Sequence, residues 1–309
     1  MCADTPSNTG ETQDGLPTAQ GGNREKSAND AGQKRDDSTA AADSSGSVGA
    51  TSVAHQARAR LTAGCQHMKQ LLTGLLDSKG KVAEEIHAIR KHGKSLRGGF
   101  GLFRLGKSAA LEIQAIGRLL SGPRDAVSRF NTWKKLGWVG DPNLATAIGS
   151  LLEQQTHSAA RRPPPETIAW CIERVDAACG ELQALPEEDL EERVARGHAK
   201  LERKAVSRCR KLDHRAEEDF HEARKALKAW TGAIGFLHEG SQKAEPILHE
   251  LAEFLGDEND LATLSRWLEE HGFTKRFAPD LWRAISASRR RLQRKVIKDG
   301  ARLRRPSRT

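Results

Sequence analysis

Residues 84–100 read EEIHAIRKHGKSLRGGF. The stretch has the make-up of a helix, yet His87, Arg90, Lys91, Lys94 and Arg97 stand at offsets 0, +3, +4, +7 and +10, the spacings at which a helix normally carries its apolar stripe. At about 100° per residue all five side chains crowd into an arc of about 120°. Like charges at i,i+4 repel one another by about 0.2–0.5 kcal/mol per pair. One such face on a basic protein can simply be solvated. A second copy argues for a purpose.

Residues 217–237, EEDFHEARKALKAWTGAIGFL, supply it: His221, Arg224, Lys225 and Lys228 repeat offsets 0, +3, +4 and +7, and Ile234 and Leu237 match Phe100 and Phe103. The copies lie 134 residues apart. Further on, LLSGPRDAVSRFNTWKKLGW (119–138) aligns with FLGDENDLATLSRWLEEHGF (254–273) at an offset of 135, pairing Leu120 with Leu255, Asp125 with Asp260, Gly137 with Gly272 and Trp138 with Phe273. Self-similarity at so long a period reads as a duplicated helical unit with a pseudo-twofold relation.

Helical periodicity runs from about residue 52 to 303 and nothing reads as a strand, so the expected fold class is all-α. Helices are expected at 52–77, 82–105, 108–121, 124–136, 142–158, 166–184, 187–213, 216–238, 243–255, 258–271 and 279–303. The breaks fall at SKGK (78–81), SGPRD (121–125), GDPN (140–143), RRPPP (161–165) and LGDEND (255–260). Short loops favour antiparallel neighbours, giving two halves (52–185 and 186–303), each a bundle of about four helices, packed around a basic central channel. Asp125 and Asp260 recur at the expected start of the fourth helix of each half, where an N-cap or first-turn acid is the plain explanation.

Residues 1–51 are polar and nearly free of large apolar side chains, and are expected to be a disordered acidic tail. Residues 1–50 carry four Lys/Arg against eight Asp/Glu, so the remainder carries +13 of a chain whose formal charge is +9. Residues 304–309 form a short basic end. The basic balance points to polyanions as partners, with the tail as an internal competitor. No apolar run reaches the roughly 18 residues of a membrane span, and no secretory signal pattern opens the chain. The five cysteines show no CxxC spacing, which signals neither a disulfide framework nor a zinc site and fits a reducing cytoplasm.

Three catalytic readings compete. Glu84 before His87 and Glu218 before His221 have the ExxH spacing of di-iron carboxylate bundles. A dication there would sit beside Arg90, Lys91, Arg224 and Lys225, and two unit charges 4 Å apart at an effective dielectric of 20 cost about 4 kcal/mol. Gly101, Gly106, Lys107 and Ser108 satisfy GxxxxGKS, but a phosphate-binding loop follows a buried strand and here a charged helix precedes it. There is no GxSxG, and no Cys is placed to pair with a His. No cofactor or metal is therefore expected, and no enzymatic activity.

A cationic groove remains. Arg offers phosphate a bidentate fork and Lys a mobile point charge, so their mixture along about 15 Å of helix suits a run of phosphates better than one compact anion. The candidate residues are His87, Arg90, Lys91, Lys94, Arg97, His221, Arg224, Lys225 and Lys228. Further cations, Arg104, Lys204, Arg208, Lys211, Arg290, Arg291 and Arg294, either extend this surface or face water. Modules that read bases expose stacking aromatics or a recognition helix with Asn, Gln and Arg, and these faces offer neither. DNA or RNA bound through its backbone is the alternative, weaker polyanion.

The paired HxxRKxxK helices, the internal repeat and the segment LGDENDL resemble the CHAD domain, the conserved histidine α-helical domain, over roughly residues 52–303. The family signature places basic residues at +3, +7, +8 and +10 from its His. His87, Arg90, Lys94 and Arg97 match it, with Ser95 at +8; His221, Arg224 and Lys228 match it, with Ala229 and Thr231 at +8 and +10. The resemblance implies two four-helix bundles around a basic surface, binding of inorganic polyphosphate and a place at polyphosphate granules. Many relatives carry a CYTH domain with an ExExK strand; none occurs in this sequence, which looks like a standalone binding module.

Overall fold

A computed structural model describes residues 52–77, 82–159, 162–214, 217–238 and 246–303. The expected tail 1–51, the end 304–309 and the break at 78–81 lie outside the described residues. Ten helices account for the described architecture: α1 (Val53–Gly74), α2 (Val82–Leu102), α3 (Ala109–Leu119), α4 (Ser121–Leu136), α5 (Pro142–Ala159), α6 (Pro165–Gln183), α7 (Leu190–Arg210), α8 (Glu217–Leu237), α9 (Pro246–Glu270) and α10 (Pro279–Arg302). A 3₁₀ turn, Glu187–Asp189, leads into α7. The fold is all-α, as the periodicity predicts.

Local chemistry sets most boundaries. Ser52 caps α1, its hydroxyl accepting the amide of His55 at 3.3 Å. Pro165 and Pro279 open α6 and α10, where an amide donor is not needed. The last turn of α2 closes with the amide of Leu105 donating to Phe100 O (2.8 Å) and that of Arg104 to Gly101 O (3.1 Å). That pattern is a Schellman motif, and it puts Arg104 at φ 63° in the left-handed position that glycine normally fills. A side chain there costs about 1 kcal/mol or more.

Three apolar clusters hold the helices together. The first joins α1, α2, α3 and α6 and takes Leu190 and Val194 from α7 and Ala233, Phe236 and Leu237 from α8. The second joins the C-terminal half of α7 to α8, the start of α9 and the end of α10. The third packs Ile148 and Leu152 of α5 against Leu264, Trp267 and Leu268 of α9 and Leu281, Trp282 and Ile285 of α10, flanked by Phe130 and Trp133 of α4. Both ends of α9 and of α10 therefore serve different cores.

One expectation fails here. LGDEND (255–260) does not end a helix: it lies inside the single helix α9, where helices at 243–255 and 258–271 are expected from sequence. Gly256 costs such a helix about 1 kcal/mol and the Asp and Asn residues less. Burial of Leu248, Leu251, Leu255, Leu261, Leu264 and Leu268 along the same face contributes about 1.5–3 kcal/mol each and prevails. Asp260 is consequently a mid-helix residue and not a cap. Asp125 lies one turn inside α4, whose first turn holds no acid.

Candidate functional site

The site begins where α2 crosses α8. A Cβ on Gly98 would stand 2.5 Å from the Ala229 carbonyl oxygen and 2.7 Å from the Ala233 amide nitrogen, and one on Gly232 would stand 3.2 Å from Cα and O of Ser95. Gly98 and Gly232 are 134 residues apart, and so are Ser95 and Ala229. Each helix thus presents the same glycine to the same position of the other, the reciprocity that a local twofold at the crossing requires. Ser95 and Ala229, the two +8 departures from the signature, contribute backbone atoms to the crossing itself.

This close approach brings two basic faces to one cleft of about 490 Å³. Arg90 and Lys94 line it from α2, His221, Arg224 and Lys225 from α8, Asp125 and Ser128 from α4, Glu258, Asn259, Asp260 and Arg266 from α9, and Arg289 from α10. Five of the nine principal candidates therefore converge. His87 is exposed in an adjoining cleft of about 460 Å³ beside Asn131, Lys135, Asp257 and Asp260. Arg97 lines a smaller one of about 230 Å³ between α2 and α3, together with Arg90, Lys94 and Arg118. Burial, and then the charge of Arg118, lowers the pKa of Arg97 from its ordinary value. Lys91 is exposed on α2, and Lys228 is half-buried on α8 one turn beyond Arg224.

The cleft is not simply basic. The Arg90 guanidinium donates to Gly117 O at 2.7 Å and to Asp125 Oδ1 at 3.4 Å. Gly117 belongs to the last turn of α3, where carbonyls run out of helical donors, so Arg90 helps to close a helix end. On the other side Arg289 donates through Nε (3.0 Å) and Nη2 (2.7 Å) to Glu258 Oε1, which also accepts from Gln293 Nε2 at 3.0 Å. The Glu258 side chain is 4% exposed and that of Arg289 13%. His221 Nδ1 donates to Asn259 Oδ1 at 3.0 Å, and Lys225 pairs with Glu222 at 2.6 Å. Internal acids and amides thus hold the cations in place.

Arg289, Glu258, Asn259 and Arg266 were not legible as site residues. The expected Arg290, Arg291 and Arg294 are all exposed, while their neighbour Arg289 turns inward. The signal was in the inward register of α10, where Ile285, Gln293 and Val296 are buried and Arg289 falls on the same stripe. Lys211 and Arg208 are exposed, Arg208 lying 3.9 Å from Asp219. Arg104 and Lys204 line a separate groove on α7.

Gly101, the first glycine of the GxxxxGKS spacing, is helical and packs on Leu201. Among the described residues no three His, Cys, Asp or Glu side chains converge as a ligand set. Burial pushes the Cys65 and Cys209 thiols up to about 12 and that of Cys171 up to about 11, which suits packing and not nucleophilic attack. No described helix is long and apolar enough to cross a membrane.

Fold and cleft together define an all-helical protein whose two basic helices, crossing through glycine, wall a polar cleft. The chain belongs to the CHAD domain family, which it matches over residues 59–269. Two solved structures are similar in fold. The CHAD domain from the plant Ricinus communis matches with a TM-score of 0.57 and 18% identity, over 83% of this chain and 94% of that one. PptA from Streptomyces chartreusis matches with a TM-score of 0.53 and 14% identity, over 81% of this chain and 99% of its own. No curated protein matches the sequence.

Proposed function

We propose that the protein binds inorganic polyphosphate in the cleft between α2 and α8, without catalysing a reaction, and that this binding places it at polyphosphate granules. The observation that carries the reading is the convergence of Arg90, Lys94, His221, Arg224 and Lys225 on one cleft from helices far apart in sequence. A polyanion entering it meets forked guanidinium groups and ammonium groups that line one cleft. His221 is oriented at the cleft by its Nδ1–H, which donates to Asn259 Oδ1. The lining of the cleft contains no Phe, Trp or Tyr on which a base could stack. Nucleic acid is accordingly the weaker ligand, held through its backbone.

Competition binding of the full chain at about 0.15 M salt, long-chain polyphosphate against duplex DNA, tests the reading. Arg224→Ala and Lys94→Ala are the informative variants, because Arg90 also bonds a helix end. Each is expected to weaken polyphosphate binding by about 10- to 100-fold, the worth of one charge-assisted contact. Native-like polyphosphate binding by both variants, or equal competition by DNA, would remove the central cleft from the function.

A further inference from the structure

A second groove, of about 920 Å³, runs along α7 and shares no lining residue with the central cleft. Arg196, Lys200, Arg203 and Lys204 stand at offsets 0, +4, +7 and +8, an arc of about 100° along about 12 Å of helix, and Arg104 closes the groove from the end of α2. The remaining lining residues are Ala195, Ala199 and Ser207, so no acid faces it. Arg196 pairs with Glu192 on its own helix, while Arg104, Lys200, Arg203 and Lys204 make no ion pair among the described residues.

Two features of the backbone show that this arrangement is built. A Cβ on Gly197 would lie 1.8 Å from Leu102 O, so α7 rests directly on the last turn of α2 and its basic face is held beside Arg104. Arg104 itself is the single non-glycine residue with positive φ among those described, at 63°. Glycine would fill that position without strain, and the Arg104 side chain is exposed and makes no side-chain hydrogen bond or ion pair among the described residues. What the strain retains is a guanidinium at the end of the groove.

We infer that the α7 groove is a second polyphosphate-binding site, independent of the central cleft, holding a linear run of phosphates along α7 with Arg104 at one end. The inference rests on polyphosphate being the ligand of this protein. With no aromatic or carboxamide side chain in its lining, the groove has nothing to stack on a base or read its edge. Of its cations only Arg196 is held in an ion pair, so binding there falls more steeply with salt than in the central cleft.

Calorimetric titration of the full chain with short-chain inorganic polyphosphate, at two salt concentrations, provides the test. The native protein should show two classes of site, the weaker being the more salt-sensitive. Lys200→Ala/Lys204→Ala should abolish the weaker class alone, whereas Arg224→Ala weakens the other. Arg104→Gly should weaken the same class about 10-fold while raising the thermal midpoint by about 2–4 °C, because it removes strain together with a ligand contact. One class of site in the native protein, an α7 variant with unchanged titration, a lowered midpoint in Arg104→Gly, or equal displacement by duplex DNA would each overturn the inference. Failure of the central cleft has a different signature: Arg224→Ala leaves both classes unchanged while the α7 variants still act.

Discussion

Residues 119–125, LLSGPRD, and 254–260, FLGDEND, align in the repeat, and they fold differently. In the first the chain leaves α3 at Leu119 and starts α4 at Ser121; in the second α9 runs straight through. Pro123 accounts for the break. It has no amide to offer the carbonyl of Leu119, four residues back, whereas its counterpart Glu258 has one to offer Phe254. The consequence reaches the cleft. On the broken side Arg90 is drawn to the exposed carbonyl of Gly117, and on the continuous side its counterpart Arg224 faces a helix with no end to close. Two residues that look equivalent in sequence thus meet different surroundings, the first at a helix end and the second along an unbroken helix.

The largest expected effect tests the continuous wall. Glu258→Ala would leave the half-buried Arg289 without its carboxylate, a change that costs about 3–5 kcal/mol when a buried pair loses one partner. At about 2–4 °C per kcal/mol for a domain of this size, the thermal midpoint should fall by roughly 6–20 °C. The double variant Glu258→Leu/Arg289→Met should recover most of that loss, since an apolar pair of similar volume removes both buried charges. If the double variant is no more stable than the single one, the pair holds α9 and α10 by a route other than charge compensation.

The division between Arg90 and Arg224 is sharpened next. Arg90→Ala removes charge-assisted bonds to Gly117 O and Asp125 and should cost about 2 kcal/mol. Arg224→Ala should cost about 1 kcal/mol or less, in the range of partly exposed ion pairs, yet weaken polyphosphate binding more. Urea unfolding of both variants beside their binding isotherms measures the split. Equal losses of stability would mean that the break after Leu119 has no bearing on the cleft.

How much of this was legible follows the same line. The helical period, the twin faces and the offset between them lie in local sequence, and α2 and α8 duly form. The glycine crossing was present in RGGFG and WTGAIG, but those glycines read equally well as a phosphate loop or a weak spot, because close approach is a property of the partner backbone. The inward turn of Arg289 and Glu258 was hidden for a related reason. LGDEND has the composition of a turn, and only burial of the leucines on either side holds it helical. The strain at Arg104, a residue legible only as one more cation, gave no signal, since it appears only once the end of α2 is fixed.

A smaller contrast is expected at the crossing. Gly98→Ala drives a methyl into the α8 backbone, a carbonyl oxygen at 2.5 Å and an amide nitrogen at 2.7 Å, and the helices must separate. Overpacking of this kind costs about 1–3 kcal/mol. Gly232→Ala meets the α2 backbone at 3.2 Å and should cost about 1 kcal/mol or less, since a shift of a few tenths of an ångström relieves it. Thermal midpoints give the order, and the reverse order would mean that the two sides of the crossing are not fixed to the same degree.

The last contrast concerns a pair of positions that exchange size between the copies. Where the first has Gly64 and His92, the second has His198 and Ala226 at the same offset of 134. His92 donates to Gly64 O at 2.7 Å and meets His67 edge-on at 4.9 Å, so its ring is held between α1 and α2. Burial lowers its pKa below 6.5, the nearby His67 lowers it further, and the hydrogen bond to Gly64 opposes both. In the unfolded chain the same imidazole takes up a proton near 6.5, so below that pH the unfolded state binds more protons than the folded one. Its contribution to stability is therefore complete above 6.5 and is lost as the pH falls through the lower folded value. Thermal scans on either side of pH 6.5 should show the native protein losing stability toward acid and His92→Gln losing less of it. Parallel slopes for the two proteins would assign the acid sensitivity elsewhere, to groups outside the interface of α1 with α2.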